Sequence, residues 1–378
     1  MCLHPGDYPL HVGNQMTAHL DCTTGYRGSF PRSAREVAAW QSGASRVEAM
    51  EPEMPIVDAH HHLFGSLDDT IHYRLEDLRE DIAGGHRVLG TVYVEGYESG
   101  WRTTGPEALR PVGEVEMIVG LTGAPIQTRH GPCQVAAGVV AYADLTHGDA
   151  IAELLEQQRV AGQGRLRGVR HRTATDDGTV GRLIKDRPRP HLLGDPAFRR
   201  GFAHLDRFGL SFDAWIYHTQ LSELIELADA FPNTPIVLDH VGGPIGVAEW
   251  KPKRAEVLAH WERDLRALAA RPNVHVKVGG MGMTVFGFGF EDADQPPTAS
   301  ELARAWQPYI DLCVEAFGTR RCMFESNFPV DKQSCSYVEL WNAFKLATRG
   351  LSQDERSDLF YRTACRTYRL PELMRVGS

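Results

Sequence analysis

The stretch Pro55-Ile56-Val57-Asp58-Ala59-His60-His61-His62-Leu63 decides the fold, because a short apolar run ends there in a carboxylate and three histidines. Its apolar and β-branched residues favour a buried strand. Side chains alternate between the two faces of a strand, so Asp58, His60 and His62 are predicted to share one face. Neutral imidazole is a common ligand of divalent metals such as zinc, and a strand end holds two imidazoles rigidly. The alternative is three ordinary histidines near a turn.

Composition indicates a globular protein that acts on a small molecule. The chain has 378 residues, of which 42% are hydrophobic and 24% charged, enough for a large core. Its net charge of −9 argues against nucleic acid or an acidic membrane surface as the main partner, because both attract basic patches. We expect a small-molecule substrate, and association into a homo-oligomer stays open.

The cysteine pattern and the absence of long apolar runs bear on the compartment. Seven cysteines occur without a CxxC motif or clustered spacing, which favours a reducing cytoplasm over a disulfide framework. No apolar run approaches the about 18 residues needed to cross a bilayer, and the first residues lack the pattern of an export signal. The sequence therefore predicts a cytoplasmic protein with no membrane partner.

Strand-like and helix-like stretches alternate along the chain after residue 54. Continuous apolar strands separated by amphipathic helices indicate a parallel sheet covered by helices, and eight such units indicate a (βα)8 TIM barrel. We expect residues 54–378 to form this barrel, and residues 1–53 to form an arm and a lead-in helix over residues 31–50. An open doubly wound sheet is the rival, but no Gly-rich phosphate turn follows the first strand. The predicted strands are residues 55–62, 89–96, 134–143, 166–172, 210–217, 234–241, 273–279 and 322–328.

Two long loops are predicted on the catalytic face of the barrel, over residues 97–133 and 281–299. The second loop contains Phe286, Phe288 and Phe290, spaced by glycines. These phenylalanines form either an apolar lid over the substrate or a hydrophobic cluster beneath the loop.

Polar side chains collect at the predicted carboxyl ends of the strands, where barrels of this class build their sites. Histidine occurs at four of these eight ends, which chance placement of 17 histidines would seldom produce. A lone histidine such as His171 is as readily a structural residue. The side chains of interest are Glu95, Arg170, His171, Tyr217, His218, His240, Glu325 and Asn327.

Three motifs follow one another at these ends: Asp-x-His-x-His on strand one, Asp-His-x-Gly-x-Pro over residues 239–244, and Ser-Asn-Phe-Pro-Val-Asp over residues 326–331. In this order they resemble the amidohydrolase superfamily, specifically its amidohydrolase-related branch of lactonases and non-oxidative decarboxylases. The resemblance covers residues 54–370. It implies a TIM barrel that carries a metal-dependent hydrolase site.

The resemblance also implies roles for single residues. His60, His62 and His218 correspond to metal ligands, and His240 to a general acid/base or substrate contact. Arg170 resembles the arginine with which lactonase relatives hold a substrate carboxylate, a task that suits its planar guanidinium. The alternative for Arg170 is a structural ion pair. Further candidate substrate contacts are His171, Tyr217 and Glu95.

Strand eight departs from the family pattern. Relatives commonly carry an aspartate where this chain has Asn327, and an amide is neither a charged ligand nor a proton acceptor. Glu325 lies two residues earlier, about 6.6 Å deeper in the barrel by strand rise, and is a candidate replacement. Burial is expected to raise the pKa of Glu325 towards neutrality unless Lys277 holds it ionised. The expected catalytic set is therefore His240, Glu325 and Asn327, with Glu95 as a further candidate base.

The leading interpretation is a hydrolase with a divalent metal, most simply zinc, that polarises a carbonyl and lowers the pKa of its bound water. We expect the substrate to be a lactone or similar cyclic ester that bears a carboxylate. The alternatives are a non-oxidative decarboxylase of an aromatic or muconate-type acid and a non-catalytic small-molecule-binding barrel. Metal-free catalysis also stays open, because Asn327 weakens the metal site.

Overall fold

The computed structural model describes residues 25–44, 46–96 and 98–377. Eight parallel strands form one sheet in the order β1-β2-β4-β5-β6-β7-β8-β9, and the short β3 pairs with β4 as an antiparallel hairpin. The strands are β1 Pro55–His61, β2 Arg87–Val94, β3 Ile126–Thr128, β4 Gly131–Tyr142, β5 Leu166–Arg170, β6 Ser211–Ala214, β7 Ile236–Leu238, β8 Val274–Lys277 and β9 Cys322–Met323.

The sheet closes where the chain after β9 meets β1. His61 and Phe328 form a parallel bridge, and the amide of His62 donates to the carbonyl of Phe328 at 2.8 Å. The amide of Asn327 donates to the carbonyl of His60, also at 2.8 Å. The predicted (βα)8 barrel is confirmed, and its closure places the β1 histidines beside Asn327.

Helices cover the outside of the barrel and bury their apolar faces against it. The longest, α10, begins with a capping box of Thr298 and Glu301 and buries Leu302, Trp306 and Ile310 at four-residue spacing. No helix in the described part of the chain is long and apolar enough to cross a membrane. The helices are α1 Ala34–Ser42, α2 Leu75–Ile82, α3 Val112–Leu121, α4 Ile151–Ala161, α5 Thr179–Arg182, α6 Pro196–Phe202, α7 His204–Phe208, α8 Leu221–Ala230, α9 Arg254–Ala269, α10 Ala299–Phe317, α11 Tyr337–Ala347, α12 Gln353–Ser357, α13 Thr363–Thr367 and α14 Pro371–Gly377.

The apolar core has two parts. The larger cluster includes Ile236 and Leu238 of β7 together with helix residues, whereas their neighbour Val237 belongs to a second cluster. This second cluster joins inward strand residues to the chain around Tyr361 and Tyr368. The C-terminal segment therefore fills one end of the barrel and leaves the end at the strand carboxyl termini for polar side chains.

Two elements differ in extent from the sequence predictions. The lead-in helix is only α1, which is capped by Ser33 and ends at Ser42, with Gly43 as its C-cap. The predicted loop over residues 97–133 contains α3, β3 and the start of β4. Residues 1–24 of the predicted arm lie outside the described residues.

The three phenylalanines after β8 form a cluster rather than a lid. Phe288 stacks between Phe286 and Phe290, with ring centroids 6.2 and 5.6 Å apart. Phe286 and Phe288 also contact Tyr309 of α10. None of the three lines the large cavity at the barrel mouth, so the satellite-cluster alternative describes them correctly.

Candidate active site

Two histidines of β1 face each other at the carboxyl end of the barrel. The Nε2 atoms of His60 and His62 lie 3.2 Å apart. Nδ1 of His62 lies 3.0 Å from the carbonyl oxygens of both Val94 and Glu95, so Nδ1 carries the proton and Nε2 presents a lone pair. Two nitrogens bound about 2.05 Å from a zinc ion at the tetrahedral angle lie about 3.3 Å apart. The histidine pair therefore fits a divalent ion.

The carboxylate of Glu325 bridges the imidazoles of His60 and His240. Its Oε1 lies 2.7 Å from Nδ1 of His240, and its Oε2 lies 3.1 Å from Nδ1 of His60. Burial raises the pKa of Glu325, but His240 and His60 outweigh burial and lower the pKa to about 2. The expected rise towards neutrality is wrong, because the carboxylate has two imidazole partners.

Lys277 pairs with two aspartates rather than with Glu325. Its Nζ lies 2.7 Å from Oδ2 of Asp213 and 3.0 Å from Oδ1 of Asp239. Burial lowers the pKa of Lys277, but these two carboxylates outweigh burial and raise it. The alternative of a Glu325–Lys277 ion pair is therefore not what the structure shows: Lys277 belongs to a buried Asp213–Lys277–Asp239 group. Tyr368 donates to Asp213 at 2.7 Å from the filled end of the barrel.

The donor set around His60 also suits a cation. His60, Asp239 and His240 offer ligand atoms that all lie within 4.8 Å of one another. The carboxylate of Asp239 already has two cationic neighbours, since its Oδ1 lies 3.0 Å from Nζ of Lys277 and its Oδ2 lies 3.5 Å from Nη1 of Arg170. Imidazoles and carboxylates are the side chains that zinc and similar divalent ions take as ligands. A divalent ion at this end of the barrel fits the donor chemistry of the residues present.

Arg170 is held by carboxylates. Its Nε donates to Oε1 of Glu95 at 2.9 Å, its Nη2 donates to the Glu95 carbonyl at 3.0 Å, and its Nη1 lies 3.5 Å from Oδ2 of Asp239. Burial lowers the pKa of Arg170, but Glu95 and Asp239 outweigh it and raise the pKa. Arg170 lines the cavity, yet its geometry is that of the ion-pair alternative.

His218 does not join the β1 histidines. Its ring packs edge-on against Trp250, with centroids 5.0 Å apart, and its Nδ1 accepts from the amide of Ile245 at 3.5 Å. Trp215 and Tyr217 line the cavity, whereas His218 does not. Side chains continue to alternate after β6, so Tyr217 and its neighbour His218 point to opposite sides. The structure therefore does not bring His218 into the cavity lining with His62 and His240, and its role as a metal ligand stays a prediction.

The same alternation of side chains turns His171 away from the cavity, where it was expected to contact substrate. Its Nδ1 accepts from the amide of Leu145 at 3.2 Å, and its ring packs against Phe198, so it belongs to the layer between barrel and helices. Burial lowers the pKa of His171 to about 4. Arg172, which the sequence analysis did not select, lines the cavity instead.

Asp58 also departs from the predicted shared face. The pairing of β1 with β2 shifts register between Asp58 and His61, which re-aims the side chains on either side of the shift. Asp58 accepts from the amide of Ser326 at 2.8 Å and from the hydroxyl of Tyr337 at 3.1 Å. It therefore supports the join of β1 and β9 and does not line the cavity.

Asn327 lines the cavity beside His240, and both residues have left-handed backbones, with φ of 53° and 52°. Such backbones are uncommon outside glycine, and they turn these side chains at the strand ends. The amide nitrogen of Asn327 donates to Oδ1 of Asp331 at 2.8 Å. The carboxyl group of Asp331 therefore orients the side chain of Asn327.

A cavity of about 550 Å³ opens above these groups. Its lining carries six cationic side chains against three acidic ones, although the whole chain has a net charge of −9. A locally positive cavity in an acidic protein favours an anionic ligand. The cations are Arg27, Arg32, Arg170, Arg172, Arg182 and Lys185, and the acids are Glu36, Asp69 and Glu95.

Comparison with known proteins identifies the family to which this barrel belongs. The amidohydrolase family model matches residues 57–370. The chain belongs to the amidohydrolase family. An L-fucono-1,5-lactonase of Burkholderia multivorans is 30% identical over 331 residues, which cover 84% of this chain and 96% of the relative. An uncharacterized protein of Sinorhizobium fredii is also 30% identical over 329 residues, which cover 84% of this chain and 99% of the relative.

A solved structure agrees with the fold. An amidohydrolase from Burkholderia multivorans with bound zinc matches with a TM-score of 0.62 at 25% identity, covering 84% of this chain and 99% of that one. The present chain is an amidohydrolase-related, lactonase-like hydrolase. The zinc of the relative and the His60, Asp239 and His240 group indicate a divalent metal here.

Proposed function

We propose that this amidohydrolase opens a lactone that bears a carboxylate, and that His240 deprotonates the attacking water. The observation that carries this proposal is the 2.7 Å contact between His240 and Glu325 at the floor of a positive cavity. A carboxylate that accepts the Nδ1 proton leaves Nε2 of the imidazole as the base. The 30% identical relative named L-fucono-1,5-lactonase supports a lactone as substrate.

His60 and His62 are the residues that would hold a divalent ion, which we propose to be zinc. When bound, such an ion supplies a Lewis acid for the carbonyl and lowers the pKa of water. The residues around it have separate tasks: Val94 and Glu95 fix the tautomer of His62 through their carbonyls, and Glu325 orients both His60 and His240. Asn327 brings no charge to this site, so catalysis without metal remains the alternative.

We assign the substrate carboxylate to Arg172. Glu95 and Asp239 hold the guanidinium of Arg170, whose side chain is 7% exposed, whereas that of Arg172 is 21% exposed at the cavity wall. The guanidinium of Arg172 lies 3.6 Å from Glu95 and 5.6 Å from the ring centroid of Tyr142. A planar guanidinium can bind a carboxylate through two parallel hydrogen bonds, which an ammonium cannot reproduce.

The test measures acid release from paraconate, a carboxylated γ-lactone, and from the neutral L-fucono-1,5-lactone, with and without chelator. We expect the carboxylated lactone to be preferred by about 10-fold in kcat/KM, and Arg172→Lys to raise its KM by about 10-fold. Arg46→Lys, at an exposed residue outside the cavity lining, is the matched control. If wild-type protein hydrolyses neither lactone, the proposed function is wrong.

The metal part has its own readout. Replacing both His60 and His62 with alanine should abolish tight binding of zinc, measured on the folded protein by metal analysis after dialysis, because the pair supplies half of a four-ligand site. Circular dichroism should show that the barrel persists. Wild-type protein that binds no divalent ion under any loading condition would leave only a metal-free lactonase.

A further inference from the structure

The chain before the barrel forms a wall of the active-site cavity. We call residues 25–33 the N-terminal arm. Residues 26–33 of this arm line the same cavity as His62, Arg170 and His240. The family match begins only at residue 57. The arm is therefore an addition to the matched barrel that lies at its reacting end.

Two contacts fix the arm to loops that follow catalytic strands. The ring of Phe30 packs edge-on against Phe64, two residues beyond His62, with centroids 6.0 Å apart. The hydroxyl of Thr284, in the loop after β8, donates to the carbonyl of Gly28 at 2.8 Å. The arm thus rests on the segments that position the β1 histidines and Lys277.

Polar contacts hold the arm at a third loop. The amide of Arg32 donates to the side-chain oxygen of Gln333 at 3.1 Å, and the side-chain nitrogen of Gln333 donates back to the Arg32 carbonyl at 3.0 Å. Gln333 follows Asn327 in the loop after β9. Arg27 forms an ion pair with Asp292 of the β8 loop. These contacts make the arm a fixed wall, whose position depends on the loops that carry the site.

The arm and residues 180–185 bring an apolar patch to the cavity lining, made of Tyr26, Phe30, Val180, Leu183 and Ile184. The same stretches of chain also bring four of the six cations to the lining: Arg27, Arg32, Arg182 and Lys185. At about 550 Å³ the cavity falls within the about 300–1,000 Å³ of sites that enclose drug-sized ligands, so it has room beyond a single sugar-like ring.

We propose that the N-terminal arm belongs to the substrate-binding site and selects lactones whose ring carries an apolar substituent such as an aryl group. The inference rests on the proposed lactonase function. The ring and its carboxylate lie against the polar floor and Arg172, and the substituent packs against Phe30 and Ile184. Burying such a group removes apolar surface from water on both sides, which stabilises the complex.

The test compares paraconate with phenylparaconate, which adds one phenyl group to the same carboxylated lactone. Full-length wild-type protein should prefer phenylparaconate by 10-fold or more in kcat/KM. Phe30→Ala should lower kcat/KM for phenylparaconate by about 10-fold, through KM, and change that for paraconate by less than about twofold. Phe30→Leu, which keeps apolar bulk, should retain most of the preference.

Phe288→Ala is the matched control. Phe288 is half-buried like Phe30 and lies on the same face of the barrel, but it does not line the cavity, so its removal should leave the preference unchanged.

Equal losses for both lactones in Phe30→Ala, or no preference in the wild type, would overturn the role of the arm. If neither lactone is hydrolysed, the lactonase proposal fails, and the arm is then judged by binding of the two lactones. Isothermal titration calorimetry measures this binding. Equal or absent binding would overturn it.

Discussion

The two ends of the barrel each contain a fully buried lysine beside a histidine, but they stabilise it differently. At the catalytic end Lys277 lies between Asp213 and Asp239, and 3.0 Å from Nδ1 of His60. At the opposite end Lys345 of α11 donates to the carbonyls of Met50 and Glu51 at 2.8 and 2.9 Å. Lys345 also lies 2.9 Å from Nδ1 of His86, just before β2. Neither lysine is exposed to solvent.

The difference shows what carboxylates contribute to a buried charge. Burial is the largest influence on both lysines and lowers the pKa of each. Two carboxylates outweigh burial at Lys277, so its pKa is raised, whereas Lys345 has mainly neutral partners and its pKa falls to about 7. The catalytic end therefore maintains fixed, paired charges next to its histidines, and the opposite end uses a lysine chiefly as a hydrogen-bond donor.

The largest effect is expected when the charge at the catalytic end is removed. Lys277→Met keeps the length of the side chain but leaves Asp213 and Asp239 buried without their cation. Breaking a buried pair by removing one partner typically costs about 3–5 kcal/mol. We expect the free energy of unfolding in urea at neutral pH to fall by this amount.

Lys251→Met, at an exposed lysine before α9, is the control and should change stability by less than about 0.5 kcal/mol. A loss below about 1 kcal/mol in Lys277→Met would mean that the aspartates take up protons at little cost. The two ends of the barrel would then not differ in the way their pKa values indicate.

A smaller effect is expected when one carboxylate loses its charge but keeps its shape. Glu325→Gln removes the acceptor that fixes the Nδ1 proton on His240. One positioned acid/base contributes about 10²-fold or more, so we expect kcat to fall by at least this factor, about 2.7 kcal/mol, with metal content unchanged. The measurement is steady-state hydrolysis of the preferred lactone together with metal analysis.

Glu51→Gln provides the matching change at the opposite end, where Glu51 pairs with Arg356 near Lys345. It should leave kcat unchanged. If Glu325→Gln loses its metal, Glu325 is a ligand rather than a positioning residue. If activity is unaffected in a folded, metal-containing variant, His240 does not depend on Glu325.

The sequence predicted the barrel well, because each strand carries an apolar run whose length and position local residues determine. It also predicted the pair formed by His60 and His62, since alternation along one strand is a local rule. By the same rule, neighbouring residues of a strand cannot share one face. Its strict application would have selected Arg172 instead of His171 as a cavity residue beside Arg170, and would have excluded His218 as a cavity residue beside Tyr217. The rule placed Asp58 on the same face as the histidines, which is incorrect, because a register shift of β1 against β2 cannot be recognised from one strand alone.

The partners across the barrel could not be predicted in this way. Whether Lys277 meets Glu325 or the aspartates depends on the stagger between strands, which no single strand encodes. One local signal was available: Asp213 stands between Phe212 and Ala214 in a fully buried strand, and a buried carboxylate needs a partner. The arm gave no signal, because its irregular residues reach the site only through tertiary contacts with three loops.

The smallest effect concerns Lys345 and appears only as a pH dependence. The pKa of Lys345 is about 7 in the folded protein against an ordinary 10.5. Between these values the unfolded chain binds a proton that the folded protein does not, so the free energy of unfolding rises with pH across this window. Below the window the contribution of Lys345 to stability is at its lowest. The contribution is at most about 1.4 kcal/mol per pH unit.

Lys345→Met removes this dependence. It also removes the donor of the Met50 and Glu51 carbonyls, a loss that does not change with pH, so the absolute stability of the variant is not informative. The informative quantity is the slope: from pH 7.5 to pH 9.5 we expect wild-type protein to gain about 2 kcal/mol more than the variant in urea unfolding. Lys251→Met should retain the wild-type slope. Equal slopes for wild type and Lys345→Met would show that Lys345 stays protonated in the folded protein. Neutral partners would then support the charge of Lys345 as well as Asp213 and Asp239 support that of Lys277.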